Sequence, residues 1–341
     1  MKRARIIYNP TSGREGIKEE LIQIIQVYEK AGYETSIFAT TPKHFSARDE
    51  ANRAGLDGFD LIVAAGGDGT VNEVINGVSS LEKRPKIAVI PAGTTNDFAR
   101  ALNIPRNDLL DAAKTIELGE TAKIDIGKVD NQNGDLEYFM NIAALGTLSE
   151  VTYSVPSTLK SLYGYLAYVT KGAELITRIK STRVLIKHDQ GEFNGEVSLI
   201  LLALTNSVGG FEKIVPNARL DDGKFSLLII KKTNLAQLLV LITKAIANGK
   251  HVNDPLVEYV KTSKVSIIPQ DKNDEMKVNL DGEYGGDAPI SFTNLKQHIE
   301  FVSPKTKILA RFKKNLSVEE MIAEKAGKEI KKEIKNIENE D

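Results

Sequence analysis

Apolar and polar positions alternate along the first 125 residues in two rhythms. Short apolar runs at 4–8, 35–39, 60–65 and 86–90 read as strands. The third, Asp-Leu-Ile-Val-Ala-Ala, is apolar almost throughout, as befits a strand covered on both faces. Between these runs the period changes to that of a helix. Ile17, Leu21, Ile24, Ile25 and Tyr28 fall on one face and stop at Gly32. Residues 45–54 read as a second helix, Val71, Val74, Ile75 and Val78 mark a third, and a short one runs to Ala101. Strand–helix alternation predicts a parallel sheet with helices on both faces.

After Leu118 the pattern turns to strands, at 123–129, 137–144, 183–188, 196–205, 224–230, 264–269 and 276–281. The polar segment 131–135 reads as a hairpin turn. Two helical stretches interrupt, near 159–179 and at 235–248. The predicted architecture is an α/β N-terminal domain with a parallel, Rossmann-like sheet over 1–127, followed by a mainly antiparallel β domain with inserted helices over 128–298. A strand near 299–312 is expected to complete the first domain. About half of the residues from Arg311 onward are charged. Lys328, Lys332, Glu329 and Glu333 at helical spacing predict a solvated helical tail over 313–341.

Composition narrows the function. Hydrophobic residues make up 41% and charged residues 27%, as in an ordinary globular protein. Lys+Arg total 45 against 46 Asp+Glu, a net charge of −1 that gives no footing for nucleic acid. The absence of Cys excludes disulfides and thiolate catalysis and points to an intracellular home. The four His, at 44, 188, 251 and 298, are not spaced as a metal pair. The apolar stretches 197–204 and 235–247 are shorter than the ~20 residues a spanning helix needs. Basic Met-Lys-Arg-Ala-Arg is followed by an apolar run too short for a signal peptide. A soluble, cytoplasmic protein is expected.

The sharpest chemistry lies in Gly66-Gly67-Asp68-Gly69-Thr70, which follows a buried strand and opens a helix. There, glycine lets the backbone come close, and unpaired N–H groups and the helix dipole favour phosphate. The glycines could equally serve a plain tight turn, but the strand–loop–helix context favours phosphate. The loop is neither a P-loop nor a dinucleotide fingerprint, since no Gly-Lys-Ser/Thr follows and the third glycine is missing. A carboxylate repels phosphate unless a cation stands between them, so Asp68 argues for Mg²⁺. Asp97 and Asp125 are further candidate metal acids. Their bland alternatives are helix capping for Asp97 and a polar strand position for Asp125.

Five segments in order carry a resemblance. They are Tyr8-Asn9-Pro10-Thr11-Ser12-Gly13, the Gly66–Thr70 loop, Ile90-Pro91-Ala92-Gly93-Thr94-Thr95-Asn96-Asp97-Phe98-Ala99-Arg100, Leu220-Asp221-Asp222-Gly223-Lys224-Phe225, and Asn279-Leu280-Asp281-Gly282-Glu283-Tyr284-Gly285-Gly286. Together, from residue 4 to about 303, they resemble the bacterial soluble diacylglycerol kinases, within the lipid-kinase group that includes sphingosine kinases. Gly-Gly-Asp-Gly-Thr alone is shared with NAD kinases.

The resemblance implies roles. Asn9, Pro10, Thr11, Ser12, Gly13, Thr40, Gly66, Gly67, Asp68, Gly69, Thr70, Val71, Asn72 and Thr94 match positions that hold ATP. Glu283 matches the family's proton acceptor, with Asp281 two residues away as its rival and Asp68 counted beside them as catalytic. A hairpin turn with two surface acids is the bland alternative. Arg219, Asp222 and Lys224 match a second, structural Mg²⁺ site. The implied function is ATP-dependent phosphorylation of diacylglycerol to phosphatidic acid, returning diacylglycerol to phospholipid synthesis. Rival acceptors are a sphingoid base, another glycerolipid or NAD, and a catalytically dead nucleotide-binding regulator is the non-enzyme rival. The implied partner is membrane-resident diacylglycerol, met by transient peripheral contact at the inner membrane surface. Tyr153, Leu159, Leu162, Tyr163, Leu166 and Tyr168, flanked by Lys160 and Lys171, suit either an interfacial helix or a core helix. Open edges of an antiparallel domain leave room for a homodimer.

Overall fold

Apolar runs bounded by Gly, Pro and Asn become strands beside one another, and the helical stretches cover them. The computed structural model describes residues 1–12, 16–131, 136–146, 181–206, 215, 218–271 and 275–304. The expected helix near 159–179 and the tail lie outside the described residues, as does Gly13. The N-terminal elements run β1 (Lys2–Tyr8), α1 (Gly16–Lys30), β2 (Tyr33–Ala39), α2 (Ser46–Leu56), β3 (Leu61–Gly66), α3 (Asp68–Ser79), β4 (Lys86–Pro91), α4 (Asp97–Ala101) and α5 (Leu109–Ala113). The strands pair in parallel in the order β4-β3-β1-β2. Every residue of β3 is buried, as its unbroken apolar run requires. Gly77 of α3 rests against the backbone of Arg48 and Asn52 in α2, where a methyl group would collide.

The remainder is mainly antiparallel. It comprises β5 (Thr121–Asp130), β6 (Leu136–Phe139), β7 (Ile142–Leu145), β8 (Thr182–His188), β9 (Gly191–Ala203), β10 (Phe225–Lys231), α6 (Leu235–Asn248), β11 (Val257–Thr262), β12 (Lys264–Pro269), β13 (Lys277–Leu280), β14 (Glu283–Asp287) and β15 (Ile290–Val302). Of the strand expected near 299–312, residues 299–302 are the end of the 13-residue β15, and 305–312 lie outside the described residues. That strand pairs antiparallel with β5 and β12, and its Phe301 lies parallel beside Ile87 of β4. One continuous sheet therefore carries both halves.

The single strand expected over 137–144 is two strands. The break falls at Met140–Ile142, whose N–H groups point at the carboxylate of Asp281. α6 matches its expected bounds, opened by a capping box from Asn234 and Gln237 and closed by Gly249.

Candidate active site

The loops after β1, β2, β3 and β4 meet at one end of the parallel sheet. Asn9 N–H donates to Ala65 O (2.9 Å), Thr40 N–H to Tyr8 O (2.8 Å) and Ala92 N–H to Gly66 O (2.9 Å). Asn9 Oδ1 accepts from Thr11 N–H (3.0 Å) and Thr11 Oγ1–H (2.9 Å), folding the segment around Pro10 back on itself. Gly67 N–H donates to Ser12 Oγ (3.1 Å), stitching the first loop to the third. Thr94 is exposed in the fourth loop, next to Gly93. The structure thus brings together Asn9, Pro10, Thr11, Ser12, Thr40, Gly66, Gly67, Asp68, Gly69, Thr70 and Thr94. Asp68, Gly69 and Thr70 form the first turn of α3, where N–H groups have no partner within the helix. Val71 differs from the rest. Its side chain is buried in the core and its N–H donates to Gly67 O (3.2 Å).

Asp68 takes the capping role that the sequence offered to Asp97. Its carboxylate accepts from the N–H groups of Asp97 and Phe98 (3.3 Å each), the opening of α4. Burial, with the charge of Asp97 beside it, pushes the Asp68 carboxyl up to about 6. The charge of Asp281 adds to the same effect. Asp68, Asp97 and Asp281 therefore occupy one region.

The two acids of the Asp281-Gly282-Glu283 turn part company. Asp281 (φ 52°) and Gly282 (φ 104°) form the two-residue connection between β13 and β14, both left-handed as a tight hairpin of this kind demands. The Asp281 carboxylate turns inward. Its Oδ1 accepts from Asn141 N–H (2.9 Å) and Ile142 N–H (2.8 Å), and its Oδ2 from Met140 N–H (2.8 Å) and Asn72 Nδ2–H (2.9 Å). Burial raises its pKa, while these four donors favour the ionised form. Glu283, first residue of β14, is exposed.

Asp125 lies with a different partner. Its carboxylate accepts from Gly223 N–H (2.6 Å) and Gln297 N–H (2.7 Å), and Asp222 is the acid whose charge acts on it. Burial is the main cause of its raised pKa. Asp222 accepts from Lys224 N–H (3.0 Å) and lies 3.4 Å from Lys261 Nζ. The Arg219 side chain turns to Asp221 (3.3 Å), which leaves its backbone as the part able to serve a cation. Asn294 stands beside Asp125, and its side-chain amide favours the ionised form of that carboxylate.

Among the described residues no three His, Asp or Glu side chains gather into a metal cage. Asp68 and Asp97 do suit Mg²⁺, which takes one or two carboxylates and fills its remaining positions with phosphate oxygens and water. A cation between them would also relieve the mutual repulsion that raises Asp68. Asp125 and Asp222 suit a second, hydrated cation in the same way.

Sequence reasoning missed several contributors. Asn96 sits at φ 50° and clasps Gly93, accepting from its N–H (3.0 Å) and donating to its carbonyl (2.8 Å). Asn76 joins α3 to β6. The backbone of Met140–Ile142 receives Asp281 and left no side-chain signal.

Comparison with known proteins identifies the family. A model described as the diacylglycerol kinase catalytic domain matches residues 3–129, and one described as the YegS C-terminal NAD kinase beta sandwich-like domain matches 142–303. The chain is 53% identical over 307 residues to a diacylglycerol kinase of Bacillus subtilis (strain 168), covering 90% of this chain and 98% of that one. It is 48% identical over 304 residues to a diacylglycerol kinase of Staphylococcus carnosus (strain TM300), covering 89% and 96%. Two crystal structures from Bacillus anthracis str. Sterne superpose with TM-scores of 0.77 and 0.69 at 26% and 24% identity. Each covers 90% of this chain, and 97% and 98% of those chains are matched. The chain belongs to the diacylglycerol kinase family of enzymes.

Proposed function

We propose that this protein transfers the γ-phosphoryl group of ATP to the hydroxyl of diacylglycerol, making phosphatidic acid. The observation that carries this reading is the convergence of the Gly66–Thr70 loop with the Asp281–Glu283 turn through Asn72 and Asp281 (2.9 Å). A nucleotide-loop helix and an acceptor-side acid thereby share one cleft. In this reading residues 1–127, with the end of β15, bind nucleotide, and 128–298 present the lipid.

ATP lies over the loops at Asn9–Ser12, Thr40, Gly66–Thr70 and Thr94, its phosphates drawn to the start of α3. Asp68 and Asp97 would hold Mg²⁺, which would supply charge neutralisation for the phosphates. Asp222, with the carbonyls of Arg219 and Lys224 and with Asp125 close by, would hold a second, structural Mg²⁺. The acceptor hydroxyl has a pKa of about 16, near that of bulk water, and needs a base. Glu283 is exposed, and in this reading its carboxylate takes the hydroxyl proton. The freed oxygen attacks the γ-phosphorus, the bond to the bridging oxygen breaks, and ADP leaves. Asp281 is a poor rival, because all four of its hydrogen bonds are already received from the protein. Most of the acceleration comes from positioning and charge neutralisation.

No helix among the described residues is long and apolar enough to cross a membrane. In this reading the lipid is met by transient peripheral contact from the cytoplasm. Among the described residues β11 pairs with β10 alone, and that edge would offer a surface for a homodimer. Labelled ATP offered with diacylglycerol micelles, sphingosine and NAD tests the reading. Label in phosphatidic acid is expected, and label on NAD alone would overturn it.

A further inference from the structure

The geometry points to Asn76 as a positioning residue that sets Glu283 against the phosphate loop. The inference rests on the reading of Glu283 as base. Asn76 is 8% exposed, two turns along the helix that begins at Asp68. β6 pairs with β5 on one side, Lys128 opposite Tyr138. On its other side Asn76 takes the place of a neighbouring strand. Its Nδ2 donates to Tyr138 O (2.9 Å) and its Oδ1 accepts from Tyr138 N–H (2.9 Å).

The same amide reaches back one turn. Nδ2 lies 3.0 Å from Asn72 O and 3.0 Å from Asn72 Oδ1. That orients Asn72 so its own Nδ2 donates to Asp281 Oδ2 (2.9 Å). Two residues beyond Tyr138, Met140 N–H donates to the same oxygen (2.8 Å). The contacts close into a ring: Asn76 to Tyr138, along the chain to Met140, across to Asp281, and back through Asn72. One side of the ring is the helix whose first turn is the phosphate loop. The other is the left-handed turn residue two positions before Glu283. Asn76 is the member that touches both helix and strand, and it reaches no phosphate or acceptor atom itself.

A ring of short polar contacts fixes distance better than apolar packing, which tolerates sliding. A displacement of roughly 1 Å at the reacting groups costs about 100-fold in rate. Opening the ring at Asn76 leaves the loops that hold ATP intact and frees the β6–β13 side to drift.

The test measures Asn76→Ala in the full chain, alone and combined with Glu283→Gln. Asn76→Ala is expected to lower kcat for diacylglycerol about 10- to 100-fold. KM for ATP, and the slow hydrolysis of ATP without lipid, should stay within about two-fold. In the Glu283→Gln background the added Asn76→Ala change should cost no more than about two-fold, because the group it positions is already lost. Asn76→Gln keeps both polar groups but lengthens the reach by one methylene. It should show the same pattern, and serves where the alanine variant does not fold. Multiplicative losses in the double variant, or equal losses in lipid phosphorylation and ATP hydrolysis, would reduce Asn76 to a general structural contact and overturn the proposal. Full activity in Glu283→Gln itself would instead overturn the base assignment on which it rests.

Discussion

Gly67 and Gly93 face each other so closely that a Cβ on Gly93 would lie 2.5 Å from the Cα of Gly67. The two loops proposed to hold phosphate thus touch backbone to backbone, and a side chain at Gly93 must push one of them away. Gly93→Ala is expected to weaken ATP binding at least about ten-fold and to lower Tm. A Cβ at Gly69 meets nothing within 4 Å, so Gly69→Ala should leave the Tm of the nucleotide-free protein unchanged. Calorimetric titration with ATP and thermal unfolding of both variants check this pair.

Asp281 separates stability from chemistry. Asparagine in its place offers an NH₂ group to at least one N–H that now has an acceptor. An unsatisfied buried donor costs about 1–3 kcal/mol. Asp281→Asn should therefore lose at least that much stability in urea unfolding. An unchanged midpoint would mean the four donors do not depend on the carboxylate.

Asp68→Asn removes a charge that would hold Mg²⁺ and keeps one of the two oxygens that cap α4. ATP affinity measured with Mg²⁺ should fall about 10- to 100-fold, while affinity in EDTA stays the same. Equal losses under both conditions would make Asp68 a cap and nothing more.

His298 gives the fold a pH dependence of predictable sign. It stacks on Tyr138 with ring centroids 6.4 Å apart, and its Nε2 donates to Ser79 O (2.8 Å). Burial, the larger cause, and the charge of Arg84 push it below its ordinary value of 6.5. A group depressed in the folded state binds fewer protons there than when unfolded. Its contribution is complete above pH 6.5 and is lost as pH falls toward the folded value. The His298 contribution should decline over that window, opposite in sign to that of Asp68, and His298→Gln should remove it from the stability–pH profile. Equal slopes in the two proteins would exclude His298 as its source.

The legible parts of the fold were those whose cause is local. α6 carries its cap, its apolar face and its glycine stop within 16 residues of sequence, Asn234 to Gly249. β3 and β4 are short apolar runs between turn residues. β14 was missed because Gly285 and Gly286 carry no strand pattern, and β11 because its buried Val257 and Val260 lie three apart. The first part of β15 mixes polar residues into its alternation and bends at Gln297 (φ 50°). The break between β6 and β7 is imposed by Asp281, far away in sequence, so no local pattern could announce it. The site divides in the same way. The phosphate loop was visible as glycines at a strand end. Which acid turns inward was not, because the two-residue turn geometry and the donors at Met140–Ile142 decide it.

The division of labour between the two acids is tested most directly by single-turnover transfer of labelled phosphate from ATP to diacylglycerol in Glu283→Gln. The expected result is a rate at least about 100-fold below wild type, with ATP affinity and Tm unaltered. A wild-type rate in that variant would contradict the assignment of Glu283 as the group that accepts the proton.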